Sequence, residues 1–351
     1  MRPPASCVFR PHTSAAASIH VGARLFLLFL LLSSLHMLVP PWVSAQESIT
    51  IPLADRLPDG RLFGYWLPIR VGAGDPSLVL LDTGSKGLML RADHLDKQVT
   101  QRTGKKYRQT FLDGTVFDGE IVKVPVQIGP VPTREPISVL AISRIECSKD
   151  KPDCPARIFA NKSFAGVMGV GLGDVTALDN PLEHLPKDQT NGFIIHGGTI
   201  APPSLTVGLT ATNHEGFTIY HMPSFSLTFS WREAFMKSNA IPACFSVGDS
   251  GINCGRILFD TGSSQNILHT RKSDTTSTAF SAGILSPGQT VTVTPKGMGE
   301  LVLPSDGIAW SRHFIVSQDS DGVSTLGAGA FKFLDVLYDF DTNSIGLKLA
   351  K

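Results

Sequence analysis

The sequence predicts an all-β protein built from two similar halves. Short apolar runs rich in Val, Ile, Phe and Thr alternate with Gly, Pro and Asp, helical patterns are few, and one six-residue pattern occurs twice. Runs of this length and spacing are typical of sandwich- or barrel-like proteins. The 33 Gly and 24 Pro residues also favour a turn-rich fold.

Individual elements follow from these runs and from their Gly and Pro boundaries. Three helices are expected, at Arg91–Lys97, at Arg232–Asn239 and near Ala330–Leu334, and the glycine- and proline-rich segment Gly197–Gly216 is expected to cross between the two halves. The runs predict strands at Ser48–Leu53, Leu62–Val71, Ser77–Leu81, Glu120–Ile128, Ile137–Ile142, Gly192–Ile195, Ser224–Phe229, Arg256–Phe259, Thr290–Thr294, Glu300–Leu303 and Asp335–Phe340.

Composition limits the classes of protein and partner. A chain of 351 residues, 42% hydrophobic and 17% charged, can bury a large core, which argues against a disordered protein. It carries 31 basic and 30 acidic residues, so it lacks the positive surplus that nucleic-acid binding favours.

The N-terminal segment has the pattern of a secretory signal peptide. Arg24 precedes the apolar stretch Leu25–Val39, and the small residues Val43-Ser44-Ala45 follow. This predicts a signal peptide over 1–45, cleavage after Ala45 and a secreted protein, extracellular or periplasmic. A retained signal anchor is the alternative, although the stretch is shorter than the roughly 20 residues of a membrane-spanning helix.

Four cysteines remain once the predicted signal peptide and Cys7 are removed: Cys147, Cys154, Cys244 and Cys254. An even number in an exported chain suggests two disulfides, for which three pairings are possible. The local pairing, 147 with 154 and 244 with 254, is favoured and closes two short loops. A zinc site and free buried cysteines are the alternatives, but no pair has the two-to-four-residue gap common in zinc sites.

The repeated pattern is two apolar residues followed by Asp-Thr-Gly-Ser. It occurs at Leu80–Ser85 and at Leu258–Ser263. Each copy is followed by a triplet that ends in Gly, Val167-Met168-Gly169 and Thr325-Leu326-Gly327. The repeat therefore predicts two lobes of similar build, 46–210 and 211–351, with one Asp-Thr-Gly in each.

The repeat also indicates a chemistry. An apolar strand carries its terminal Asp into a water-poor place, and two facing carboxyl groups there share one proton. One of the pair, Asp82 or Asp260, then acts as a base on a bound water while the other acts as an acid, without a metal or cofactor. Gly84 and Gly262 let backbone amides approach the carboxylates, the hydroxyls of Thr83 and Thr261 can bond across to the other lobe, and those of Ser85 and Ser263 can donate to the outer carboxylate oxygens. A single Asp-Thr-Gly would be only a turn, but two copies with matching flanks favour function.

These residues resemble the two-lobed, pepsin-like aspartic endopeptidases. Phe164–Gly169 is similar to the strand that crosses behind the first catalytic loop of that family, and Thr325–Leu347 is similar to its C-terminal strand–helix–strand. The resemblance implies a catalytic pair, Asp82 and Asp260, supported by Ser85 and Ser263. It also implies a protease that cleaves polypeptides. An acidic optimum is expected because only one proton on the pair is productive, and a monomer is expected because nothing in the sequence points to an oligomer.

The family covers its cleft with a β-hairpin, and the corresponding region departs from the usual pattern. The candidate hairpin is Tyr107–Val122, and its tip lacks the family's tyrosine. Met89 replaces the tryptophan that usually bonds that tyrosine. Apolar substrate pockets are expected from a set near the cleavage point: Met89, Phe111, Leu112, Asp113, Gly114 and Phe117. A weak or inactive relative that binds peptides or proteins is the alternative function.

Other motifs are explained more simply. Gly248-Asp249-Ser250-Gly251 is similar to a serine-protease nucleophile motif, but the rest of that pattern is missing and a turn is expected. Asn161-Lys162-Ser163 is a glycosylation sequon. The ten His follow no metal-binding pattern, so no metal site is predicted.

Overall fold

The structure is a computed structural model, and most of it consists of strands. It describes residues 47–57, 63–159, 161, 163–172, 176–198, 201–223, 239–270, 283–305, 313–317 and 322–350. The predicted signal peptide, the strand at Ser224–Phe229 and the helix at Arg232–Asn239, except for Asn239 itself, lie outside these residues. Gln46–Lys351 forms one compact unit.

The strands are numbered along the chain. Those before residue 171 are β1 Ile49–Pro52, β2 Ala54–Arg56, β3 Phe63–Val71, β4 Ser77–Asp82, β5 Lys86–Arg91, β6 Gln101–Thr110, β7 Thr115–Val124, β8 Val126–Ile128, β9 Val131–Pro132, β10 Ile137–Cys147 and β11 Gly166–Val170. The middle of the chain forms β12 Gly192–His196, β13 Ser204–Val207 and β14 Thr218–His221. The remainder are β15 Ala240–Val247, β16 Asn253–Asp260, β17 Asn266–His269, β18 Gly283–Ile284, β19 Thr290–Pro295, β20 Leu301–Pro304, β21 Phe314–Ser317, β22 Ser324–Gly327, β23 Leu334–Asp339 and β24 Ser344–Leu349.

The first copy of the repeat lies in a ten-stranded sheet with the order β6-β7-β10-β5-β11-β4-β3-β8-β9, in which β2 also pairs with β3. Strand β11 inserts between β4 and β5, parallel to the former and antiparallel to the latter. Its register sets Gly169 opposite Asp82. The triplet that follows the motif in sequence is thus its direct neighbour in the sheet.

The second copy repeats this arrangement in an eight-stranded sheet with the order β18-β21-β17-β22-β16-β15-β19-β20. Strand β22 lies parallel to β16 and antiparallel to β17, and sets Gly327 opposite Asp260. The two sequence repeats are therefore structural repeats, as predicted.

A third sheet, with six strands, combines segments from three parts of the chain in the order β1-β13-β12-β23-β24-β14. Strand β13 lies within Gly197–Gly216, where the sequence predicts only a crossing segment. Its pattern is nevertheless that of a strand, since Leu205 and Val207 are fully buried. The boundary predicted at 210/211 stays a prediction.

The helical elements differ from those predicted. In place of Arg91–Lys97 there is a 3-10 turn at Ala92–His94, and Ala328–Phe333 is a 3-10 helix where a short helical stretch is expected. A four-residue helix, α1, spans Ala156–Phe159. Among the described residues no helix is long and apolar enough to cross a membrane.

Buried side chains alternate along the strands that carry the site. On β4, Val79 and Leu81 enter the main core, while Leu80 joins a second apolar cluster on the opposite face. Both faces of this strand are therefore covered, and each fully buried aliphatic side chain contributes about 1.5–3 kcal/mol of transfer free energy. The last residue of the strand, Asp82, is held at the edge of a rigid core.

The cysteines pair locally, as favoured by the sequence. Cys147 is bonded to Cys154, with Cα atoms 5.5 Å apart, and Cys244 to Cys254, with Cα atoms 4.0 Å apart. The second pair joins directly opposed residues of β15 and β16.

Candidate active site

Each repeated motif ends a strand with an Asp and then turns sharply. Asp82 is the last residue of β4, and the N–H of Gly84 donates to its Oδ1 at 2.8 Å. Asp260 is the last residue of β16, and the N–H of Gly262 donates to its Oδ1 at 2.8 Å. The chain thus folds back so that backbone donors face each carboxyl group, as predicted for both glycines.

The two turns are bonded to each other through their threonines. The N–H of Thr83 donates to Thr261 Oγ1 at 3.1 Å, and the N–H of Thr261 donates to Thr83 Oγ1 at 3.0 Å. Each hydroxyl in turn donates to the opposite strand, Thr83 to the carbonyl of Phe259 at 2.8 Å and Thr261 to that of Leu81 at 2.6 Å. All four bonds are buried, and they fix the two turns in one orientation.

The glycines of the motifs lie against the opposite carboxyl groups. A Cβ on Gly84 would lie 2.5 Å from Asp260 Oδ1, and one on Gly262 would lie 2.5 Å from Asp82 Cγ. Real Cβ atoms do not approach other atoms this closely. Glycine is required here because the carboxyl group of the other turn occupies the space of a side chain.

Each carboxyl group lies against the opposite turn, and the pKa values of both are raised. The pKa of Asp260 lies well above its usual value because burial, and then the charge of Asp82, oppose its ionisation. Burial also raises the pKa of Asp82, but hydrogen bonds from Ser85, Gly84 and Asp260 favour its charged form. These directions favour a proton on Asp260 rather than on Asp82.

The serines of the two motifs differ. Ser85 Oγ donates to Asp82 Oδ2 at 2.5 Å, as predicted. The hydroxyl of Ser263 instead donates to the carbonyl of Gln265 at 2.8 Å and accepts the N–H of the same residue at 3.2 Å. The prediction for this second hydroxyl is wrong because a local turn engages it. Asp82, which accepts the Ser85 hydroxyl, is also the residue whose pKa is less strongly raised.

Tyr338 is a supporting residue that the motifs do not reveal. Its hydroxyl donates to the carbonyl of Phe259 at 3.2 Å, and its ring is 1% exposed. Burial raises its pKa, so it remains a neutral donor. The only sequence signal is its place in the strand that follows the second triplet.

The candidate hairpin consists of β6 and β7, with the predicted tip at 111–114. At the tip, Leu112 and Asp113 are exposed, Phe111 is half-buried and Gly114 is buried. Phe117 packs edge-on against Phe111 with ring centroids 4.9 Å apart. The hairpin thus presents apolar surface at its tip.

Two of the predicted substrate contacts are core residues in this structure. Met89 is 0% exposed and Phe117 is 1% exposed, and both belong to the second apolar cluster. Their side chains offer no surface to a ligand. The reason is that alternate residues of β5 and β7 face the space beneath the hairpin, which the protein fills with its own side chains.

Comparison with solved structures identifies the fold. The chain is similar to an aspartic proteinase from Irpex lacteus, with a TM-score of 0.61 and 17% sequence identity over 87% of this chain and 98% of that one. This is the two-lobed pepsin-like fold. No protein-family model and no curated protein matches the sequence. The ten-stranded and eight-stranded sheets are the sheets of the two lobes.

The remaining motifs form no second site among the described residues. Gly248 and Asp249 form a turn, and Ser250 Oγ accepts the N–H of Val247 at 2.9 Å. Asn161 of the sequon is half-buried and accepts the N–H of Ser163 at 3.2 Å. No cluster of three or more His, Cys, Asp or Glu side chains able to hold a metal occurs in these ranges.

Proposed function

We propose that the protein is an aspartic endopeptidase with Asp82 and Asp260 as its catalytic pair. The observation that carries this proposal is geometric: the two carboxyl groups lie on opposed turns that Thr83 and Thr261 bond together, and only Asp82 accepts a serine hydroxyl. Such a pair supplies a base and an acid at the same pH. The pepsin-like fold supports the same conclusion.

The reaction uses a water held between the two carboxyl groups. Asp82 takes a proton from this water as its oxygen bonds to the peptide carbonyl carbon, and the proton of Asp260 moves to the carbonyl oxygen. The result is a tetrahedral diol. The C–N bond then breaks as Asp82 gives its proton to the leaving nitrogen and one diol hydroxyl returns a proton to Asp260, which restores the starting state.

The pH dependence follows from the unequal pKa values. Activity needs Asp82 ionised and Asp260 protonated, so the rate rises with pH as the former loses its proton and falls as the latter does. We expect an acidic optimum whose alkaline limit is set by Asp260, because its pKa is the more strongly raised.

The substrate of the proposed enzyme is an extended polypeptide. Such a segment adds to a hairpin edge as a strand and places alternate side chains in pockets. Leu112 and Phe111 at the tip favour apolar residues beside the cleaved bond. We also propose that the protein is a secreted monomer from which 1–45 has been removed, and its two disulfides fit an oxidising compartment.

A cleavage assay tests the proposal. The chain is expressed in a secreting host, and the exported form is incubated with a denatured protein from about pH 3 to 7, which brackets carboxyl titration. We expect fragments that disappear in Asp82→Asn and in Asp260→Asn, a loss of at least about 100-fold. Cleavage that survives both substitutions contradicts the mechanism. A folded protein that retains peptides uncleaved favours the binding module instead, and N-terminal sequencing of the exported form tests cleavage after Ala45.

A further inference from the structure

The tip of the β6–β7 hairpin is a tight turn with its own hydrogen bonds. The N–H of Phe111 donates to the carbonyl of Thr115 at 2.8 Å, and that of Gly114 donates to the carbonyl of Phe111 at 3.1 Å. Gly114 has φ +92°, a conformation that other residues rarely adopt. These bonds lie within the turn, and Phe111 packs it against Phe117.

The loop that Cys147 and Cys154 close contacts the tip through two hydrogen bonds. The N–H of Ser148 donates to the carbonyl of Gly114 at 2.8 Å, and Lys151 Nζ donates to that of Leu112 at 2.6 Å. A Cβ on Gly114 would lie 2.5 Å from Lys151 Cβ, so the loop and the tip are in close contact. The loop therefore binds two successive parts of the turn from one side.

Both ends of this loop are anchored in the fold. Cys147 ends β10 and lies opposite Thr115, the first residue after the tip. After Cys154 the chain enters α1, where Phe159 packs against Phe117 and Phe164 with ring centroids 6.1 and 5.1 Å away. Phe164 precedes β11, the strand beside Asp82. Residues 147–159 therefore form a short strut between the hairpin tip and the contact of Phe159 with Phe164 beside β11, and the disulfide joins the two ends of its loop.

We propose that the Cys147–Cys154 loop positions the hairpin tip, so that this disulfide controls how the hairpin closes on a polypeptide substrate. The role of the hairpin as a lid rests on the proposed function. The loop's contacts with the tip are to backbone atoms of the turn and depend on the loop's conformation. Reduction of the disulfide releases that conformation, so the tip is held only where the cysteines are oxidised.

The test compares two variants that each lack one disulfide. Cys147→Ser/Cys154→Ser removes the strut, and Cys244→Ser/Cys254→Ser is the matched control, since that pair lies on the other lobe. Hydrogen exchange is measured by mass spectrometry on the exported protein, over the peptide that contains 111–117. We expect exchange at the tip to be about tenfold faster in the first variant and unchanged in the control, because the loop's bonds to the tip are lost.

A third variant, Lys151→Met, keeps the disulfide and removes only one contact to the tip. This variant covers the case in which the first variant fails to fold. We expect exchange at 111–117 to increase by about threefold, because only the hydrogen bond from Lys151 to the carbonyl of Leu112 is lost. Unchanged exchange at the tip in Lys151→Met and in any folded form of the first variant overturns the proposal.

Kinetics separate this inference from the proposed function. For an active enzyme, loss of the strut raises KM by about tenfold and changes kcat by less than about threefold, because substrate positioning and not the carboxyl pair is affected. A fall of about tenfold in kcat with unchanged KM contradicts the inference but leaves the proposed endopeptidase activity intact. A protein that cleaves nothing overturns the proposed function, and the exchange data still decide whether the loop holds the tip.

Discussion

Replacement of Thr83 by Val tests how the two lobes hold the carboxyl pair together. The threonine is 0% exposed, and Val has nearly the same shape, so the substitution removes the hydroxyl alone. Two close bonds are lost, the donation to Phe259 and the acceptance from the N–H of Thr261, together with a longer contact of 3.5 Å with the Thr261 hydroxyl. A lost bond costs about 0.5–1.5 kcal/mol and a buried unpaired N–H about 1–3 kcal/mol, so we expect the free energy of unfolding to fall by about 2–4 kcal/mol.

The measurement is urea unfolding of the exported protein at constant pH, with both disulfides intact. Thr83→Ser is the control, because Ser retains the hydroxyl and loses only a methyl group. We expect the Ser variant to stay within about 1.5 kcal/mol of the parent, the upper range for one lost methyl group. Equal destabilisation by Val and Ser would refute the role of the hydroxyl. So would a Val variant within about 0.5 kcal/mol of the parent, the usual scatter of neutral substitutions.

Three further predictions concern the carboxyl pair. Ser85→Ala removes a donor to ionised Asp82 and should move the acid limb of the rate profile to higher pH, whereas Ser263→Ala should leave it in place; equal shifts would show that the two hydroxyls are equivalent. Gly84→Ala places a Cβ 2.5 Å from Asp260 Oδ1 and should displace that carboxyl group. A displacement of about 1 Å can lower the rate about 100-fold, so a rate within fivefold of the parent would contradict the geometry. Asp260→Asn should raise the melting temperature at pH 7 and not at pH 3. The raised pKa of folded Asp260 gives stability at low pH, and that stability is lost as the pH rises through this pKa. The same change in melting temperature at both pH values would argue against a buried shared proton.

The opposed Asp82 and Asp260 turns and the repeat could be predicted from sequence because each depends on local pattern. The apolar residues bury the strand, and the Asp-Thr-Gly that follows them forms the turn. Two copies of this pattern imply that the two turns face each other. The hydroxyl of Ser263 could not be assigned in this way. Its partner is chosen by the path of the following residues, which the motif does not contain.

Strand β6 shows a second limit of sequence reasoning. Gln101–Thr110 is mostly exposed and polar on both faces, so it has no apolar alternation to detect. It forms a strand because β7 pairs with it along its length. Met89 shows the opposite case, since its apolar character predicts a substrate pocket although its side chain belongs to the core.

The order of strands in the six-stranded sheet has a consequence for biosynthesis. Its centre, between β12 and β14, is formed by β23 and β24, which leave the ribosome last. Strand β1 pairs early with β13, but the sheet stays divided until residues 334–349 insert. A nascent chain that is otherwise complete therefore exposes two unpaired strand edges, and cleavage or truncation near its C-terminus leaves those edges open to aggregation.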